Sequence, residues 1–208
     1  MAAAAKLAPR RTQADRREGT IRKLLDAATE ALIEVGYAAT SVKEICARAG
    51  LSQGGLFRHF PTREALMVAV AEDVSTQMLE TYRRKFESLR DRQDPLELSM
   101  RLTREACRAR LNQAWYELAM AARTSPPLRK ALAPLAASYY AAISRLAREL
   151  LPDTAALLGD QFDVFVDTII AVFDGESVHR FVLKKPAVED ARLELLLSLT
   201  RLALGGIR

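Results

Sequence analysis

Apolar residues recur at helical spacing along nearly the whole chain. Ile21, Leu24, Leu25, Ala28, Leu32 and Val35 fall at i, i+3, i+4, i+7, i+11 and i+14, one face of one helix. Gly36 follows and predicts its end, because glycine accepts positive φ cheaply. Ser41-Val42-Lys43-Glu44 has the form of a capping box, Ser41 over the first amides and Glu44 reaching back. That helix is short, since Gly50 stops it. Ser52 caps the next, over 53–60. Pro61 ends it, and Thr62 caps a long helix to about Leu89. Asp94-Pro95-Leu96-Glu97 combines cap, first-turn proline and first-turn acid, and starts a helix to about Leu111. A short helix is predicted over 114–122. Ser125-Pro126-Pro127 breaks it and opens another, whose Leu128, Leu132, Leu135, Tyr139, Ile143, Leu146 and Leu150 share a face. Residues 152–159 read as a linker. Helices over roughly 160–183 and 188–204 close the chain, split by Lys185-Pro186. No stretch alternates in polarity long enough for a sheet. The pattern predicts an all-α protein of about nine helices, with a change of character near residue 61.

Composition narrows the class. Of 208 residues, 50% are apolar and 27% charged, enough for a real core and too apolar for disorder. Two cysteines, Cys46 and Cys107, cannot build a disulfide framework or a four-ligand zinc site. With histidines only at 59 and 179, neither metal nor cofactor is expected. Lys6 interrupts the small apolar start before a signal-peptide core can form. Asp163 and Asp167 break the most apolar stretch, 162–173, so no membrane partner is expected and the cytoplasm is the expected location.

Charge is unevenly placed. Residues 1–63 hold eleven Lys/Arg against six Asp/Glu, and the remainder twenty against twenty. All the surplus positive charge lies in the first third, where it would attract a phosphate backbone. Within that third, Val42 to Phe60 has helix–turn–helix spacing. Cys46 is the small residue where the second helix crosses, Gly50 supplies the turn, and Leu56 locks the pair, with Ile45 and Ala49 inside. Gly54 and Gly55 cost the second helix roughly 2 kcal/mol against alanine. They make either a poor helix or a bare surface that another molecule can approach closely. The second reading is favoured because the caps and core positions on both sides are in order.

These residues resemble the tetracycline-repressor (TetR) family of transcriptional regulators. The resemblance runs from Ile21 and Ala28 through Gly36-Tyr37, Thr40 to Ile45, Ala49 to Ser52, Gly54, Leu56-Phe57 and His59-Phe60 to Arg63-Glu64 and Leu66. It implies a helix–turn–helix domain over 1–62 and a ligand-binding and dimerisation domain over 63–208. It implies a homodimer on a pseudo-palindromic DNA operator, released when a small molecule binds the second domain. Carried over, Thr40 and Ser41 would touch phosphate, and Lys43 a base edge or phosphate. Gln53, Gly54 and Gly55 would lie against bases. Phe57, His59 and Arg63 would sit near the backbone, with Arg58 beside the groove. Members commonly have Tyr where Phe57 stands and Lys where Arg63 stands; Phe57 offers only apolar contact. Lys6, Arg10, Arg11, Arg16 and Arg17 form a basic arm that enters a minor groove or is a solvated tail.

Trp115, Tyr139, Tyr140, Phe173 and His179 lie on helices the family uses around its pocket, or are ordinary core, the commoner role for such side chains. Arg101, Arg104 and Arg108 share a face; turned inward, Arg104 and its neighbours would ask for an anionic ligand, and turned outward they are a solvated stripe. Phe162, Phe165, Ile169 and Phe173, with Leu193, Leu196 and Leu197, sit on helices apolar beyond one side, which predicts a dimer interface. Cys107 would be a redox switch only if accessible and in a basic setting. Two rival classes remain. An enzyme would need a catalytic cluster the sequence does not offer. A helical interaction protein that binds no DNA would not explain the basic helix–turn–helix segment.

Overall fold

The structure, a computed structural model, describes residues 12–87 and 94–206. Ten α-helices follow in order: α1 (Gln13–Ala39), α2 (Val42–Ala49), α3 (Gln53–Phe57), α4 (Arg63–Glu87), α5 (Pro95–Cys107), α6 (Arg110–Ala122), α7 (Pro126–Leu150), α8 (Pro152–Leu158), α9 (Phe162–His179) and α10 (Pro186–Gly206). No strand is present among the described residues.

The predicted caps are in place. Ser41 Oγ accepts from the Glu44 amide at 3.1 Å, Ser52 Oγ from Gly55 at 3.1 Å, and Thr62 Oγ1 from Ala65 at 3.0 Å. Asp94 caps α5 through the Glu97 amide at 3.0 Å. Only half of the expected box at Ser41 forms, because Glu44 turns its carboxylate to Arg48 at 2.7 Å. A complete box opens α1 instead: Thr12 Oγ1 accepts from the Asp15 amide, and Asp15 accepts from the Thr12 amide. Arg16 and Arg17 therefore belong to α1 rather than to an arm; Lys6, Arg10 and Arg11 lie outside the described residues.

Two cores organise the helices. One gathers Leu24, Ala28 and Leu32 of α1, Ile45 and Cys46 of α2, Leu56 of α3, the first half of α4, Ala114 and Leu118 of α6, and Leu128 and Leu132 of α7. The other gathers Tyr82 and Phe86 of α4 with α5, Ile143 of α7, Phe162 to Phe173 of α9, and Leu193 and Leu197 of α10. Helices α4, α6 and α7 thus carry the helix–turn–helix on the body.

Three expectations shift. The α5–α6 break falls at 108–109, not near 112, because Arg108 and Ala109 take their amide bonds in a tight turn. The expected linker over 152–159 coils into α8 and a 3-10 turn, since Pro152 suits a first turn. Helix α9 ends at His179, and Phe181, Val182 and Leu183 stand exposed beyond it.

Candidate nucleic-acid interface and effector body

The helix–turn–helix is built as its spacing predicts. Ile45 and Leu56 are fully buried, Cys46 nearly so, and Gly50 turns with φ 65° and ψ 38°. Gly36, where the sequence predicts the end of α1, is instead a kink inside it: with φ 77° and ψ 168° it redirects the last three residues toward α2. A Cβ on Gly36 would meet Glu117 Oε2 at 3.1 Å. That carboxylate accepts the Tyr37 amide at 2.8 Å, so α6 grips the α1–α2 corner.

The residues assigned to DNA divide into two groups. Ser41, Lys43, Gln53, Gly54, Phe57 and Arg58 are exposed, and Gly55 and His59 partly so. A Cβ on Gly54 meets nothing within 4 Å, so α3 offers a bare backbone to its surroundings. Two residues serve inside instead. Thr40 is fully buried, and its hydroxyl donates to the Gly36 carbonyl at 2.7 Å, which removes it from the phosphate contacts. Arg63 donates to the carbonyls of Thr40 at 2.8 Å and Tyr37 at 2.5 Å, and lies 4.2 Å from the Tyr37 ring centre. It clamps the start of α4 to the α1–α2 corner rather than reaching outward.

The body departs further from expectation. Arg104 does face inward, but it is already paired. It donates to Glu176 at 2.9 Å and to Asp190 at 2.9 and 3.0 Å, while Arg108 donates to Glu176 and Glu189. Arg180 and Arg192 complete this network between α5, α9 and α10. A paired guanidinium asks for no anion, so Arg104 is a strut. Trp115 packs on Tyr139 in the first core, Phe173 is fully buried, and His179 is exposed. None of these lines the central cavity, between α4, α5, α7 and α9, but His179 borders an open pocket of about 510 Å³ between α9 and α10. The central cavity, about 40 Å³, is lined by Tyr82, Phe86, Met100, Thr103, Ile143, Ile170 and neighbours from α4, α5, α7 and α9. A second of about 60 Å³ shares Tyr82 and Phe86.

Between α5, α6 and α9 lies a polar contact that the sequence did not disclose. Asp174 accepts from Tyr116 Oη at 2.6 Å, and Tyr116 also donates to the Cys107 carbonyl at 2.9 Å. Burial raises the Asp174 carboxyl above the usual carboxylate range, against the hydrogen bonds from Tyr116 and Cys107 that lower it. Burial pushes the Cys107 thiol far up, which removes the thiolate a redox switch would need.

The residues named for a dimer lie on the inner side of their helices. Phe162, Phe173 and Leu197 are fully buried within the protomer, Leu193 and Ile169 nearly so, and Phe165 and Leu196 partly. The outer side has apolar stretches as well, beside the exposed Asp163 and Asp167 of α9 and Glu194 of α10. On α9 it shows Val164, Thr168, Ala171, Gly175 and Val178, and on α10 Leu195, Leu199 and Leu202. The doubled apolar character read from the sequence is real, but its outward half is this second set.

The family model for bacterial regulatory proteins of the tetR family matches residues 24–70. The HTH-type transcriptional regulator Rv2912c of Mycobacterium tuberculosis is 37% identical over 189 residues, 91% of this chain and 96% of its own. This chain belongs to the TetR family. It is a DNA-binding transcriptional regulator. Solved structures share the fold of nearly the whole chain. The multidrug binding protein EbrR, complexed with imidazole, aligns with a TM-score of 0.62 at 24% identity over 86% of this chain and 93% of its own. A transcriptional regulator of Saccharomonospora viridis in complex with choline aligns at 0.66 and 16% identity, over 88% and 96%. The family consists of regulators rather than enzymes. Among the described residues, no helix is long and apolar enough to cross a membrane, and no three His, Cys, Asp or Glu gather as metal ligands would.

Proposed function

We propose that two copies of this chain bind a pseudo-palindromic operator as a cytoplasmic repressor, and that a small molecule held in the body releases them. The observation that carries this reading is the exposed start of α3: Gln53 and Gly54 stand free of the protein, on a helix fixed by the Ser52 cap and by Leu56. That is the geometry in which a recognition helix presents its N-terminal residues to the major groove. Residues 1–62 form the reading module in this proposal, and 63–208 the effector and dimer body. The contacts are Ser41, Lys43, Gln53, Gly54, Gly55, Phe57, Arg58 and His59. The outer faces of α9 and α10 supply the two-fold interface. The effector enters between α4, α5, α7 and α9, where the cavity must widen to admit it. Proteins with this fold have been solved with choline and with imidazole, which supports a small-molecule effector.

Fluorescence anisotropy on duplex DNA from upstream of the gene, at two salt concentrations and against scrambled duplex, tests the reading. Binding that survives the competitor is expected. Binding lost equally to competitor and to salt would leave only nonspecific attraction and overturn it.

A further inference from the structure

The central cavity lies between α4, α5, α7 and α9, and among the described residues no charged side chain lines it. Its hydroxyls at Ser99 and Thr103 are committed to the backbone. Ser99 donates to the Leu96 carbonyl and Thr103 to that of Ser99, both at 2.8 Å. Neither has a proton left to offer a ligand. The buried charges of the body hold one another elsewhere: Arg104 pairs with Glu176 at 2.9 Å and lies 4.0 Å from Glu189, and none of the three lines the cavity.

Two stacked rings separate this cavity from its neighbour. Tyr82 and Phe86 stand one turn apart on α4 with ring centres 5.2 Å apart, and both line both cavities. At about 40 and 60 Å³ each space is too small for a benzene ring, which an apolar cavity of about 150 Å³ admits. Met100 lines the first and Met78 the second. Methionine is unbranched and repacks at little cost. A shift of these four side chains joins the two spaces into one the size of a substituted ring. Lys85 is the charged side chain on the second cavity, and it is 41% exposed and paired with Glu105 at 3.3 Å.

We infer that the effector is an uncharged, mainly apolar molecule built on one ring, held between α4, α5, α7 and α9 with Tyr82 and Phe86 moved aside. This rests on the effector-binding reading above and names the chemistry of that same site. A charged group entering this space would lose its water and find neither an ion partner nor a free donor. An apolar group meets no such cost, and each methylene it buries strengthens binding about fourfold. The faces of Tyr82 and Phe86 can stack on a ligand ring as they stack on each other.

The test is calorimetry on the full chain with tert-butylbenzene. It is compared with phenyltrimethylammonium, in which a charged nitrogen replaces the central carbon, and with benzoate. tert-Butylbenzene is expected to bind, and both ions about a hundredfold more weakly or not at all. Two variants locate the site. Ala147→Leu fills the cavity from α7 and is expected to weaken tert-butylbenzene about tenfold, whereas Met100→Ala widens it and is expected to strengthen binding. A folding defect cannot produce both changes. tert-Butylbenzene that fails to bind the wild-type chain, or an ion that binds as tightly, overturns the inference. Unchanged affinity in both variants puts the ligand elsewhere and overturns it too. Duplex binding on the same samples reports the regulator reading separately: an ion that binds and releases DNA would remove the neutral ligand and leave effector control standing.

Discussion

Thr40 and Lys43 lie three residues apart and do opposite work. Thr40 closes the α1–α2 corner from inside, whereas Lys43 is exposed on the first turn of α2. Thr40→Val is expected to cost about 1 kcal/mol of stability through the lost hydrogen bond and to leave the salt dependence of DNA binding unchanged. Lys43→Ala is expected to leave stability alone and to reduce the slope of log affinity against log salt by about one for each phosphate the side chain no longer neutralises. Thermal melts and anisotropy at several salt concentrations separate the two, and equal slopes for wild type and Lys43→Ala would remove Lys43 from the interface. Asp174 has a stability consequence of its own. Its folded-state carboxyl is raised by burial, so the protonated form favours the fold. Stability from this group is present below the ordinary carboxylate range and lost as pH rises through the raised value. Asp174→Asn should therefore raise the melting temperature at neutral pH, with a smaller gain under acid conditions. Such roles were hard to read in the sequence, because inward and outward polar residues have the same spacing. Thr40 and Ser41 are adjacent hydroxyls, and only the turn at Gly36 decides which one is buried.

Short elements were more legible than single side chains, since caps and glycine stops act locally. Ser41, Gly50, Ser52 and Thr62 set α2, α3 and the start of α4 without help from distant residues. The α5–α6 break and α8 were less legible. Helical periodicity continues through a tight turn at 108–109, and Pro152 opens a helix as readily as it marks a linker. Helix α3 offers an element-scale test. Gly54→Leu should form α3 at least as well as wild type, because its Cβ enters open space and leucine is the better helix former. It should nevertheless abolish specific duplex binding, since the added side chain fills the gap through which α3 would approach the bases. Circular dichroism and anisotropy on the same sample check both halves; tight, specific binding by Gly54→Leu would show that this surface faces away from DNA. Gly55 is the poorer probe, because its Cβ would lie 3.3 Å from the Ser52 hydroxyl that caps the helix.

At the scale of the molecule, α9 and α10 are apolar on two sides, and the residues expected at a dimer interface lie on the side that meets the protomer's own core. Periodicity counts apolar residues around a helix but cannot say which arc meets the protomer's own core. The larger side chains, Phe162, Phe173, Leu193 and Leu197, went inward, where they fill the space between α5 and α7. The outer arc of α9 keeps Ala171 and Gly175 at its centre, between Val164 and Val178. Small residues there let another helix approach closely, and Leu195, Leu199 and Leu202 extend the apolar surface across α10 at i, i+4 and i+7. A two-fold axis through these helices would cover both arcs at once and fix the spacing of the two α3 helices, which a pseudo-palindromic operator demands. Leu199→Glu places a charge in that surface without disturbing the protomer, since the side chain is 54% exposed there. Sedimentation should then show a folded monomer in place of a dimer. Operator affinity should fall much further than for any single DNA-facing residue, because one half-site alone must hold the module. A Leu199→Glu protein that remains dimeric would place the two-fold interface elsewhere and break the link between these outer faces and the spacing on DNA.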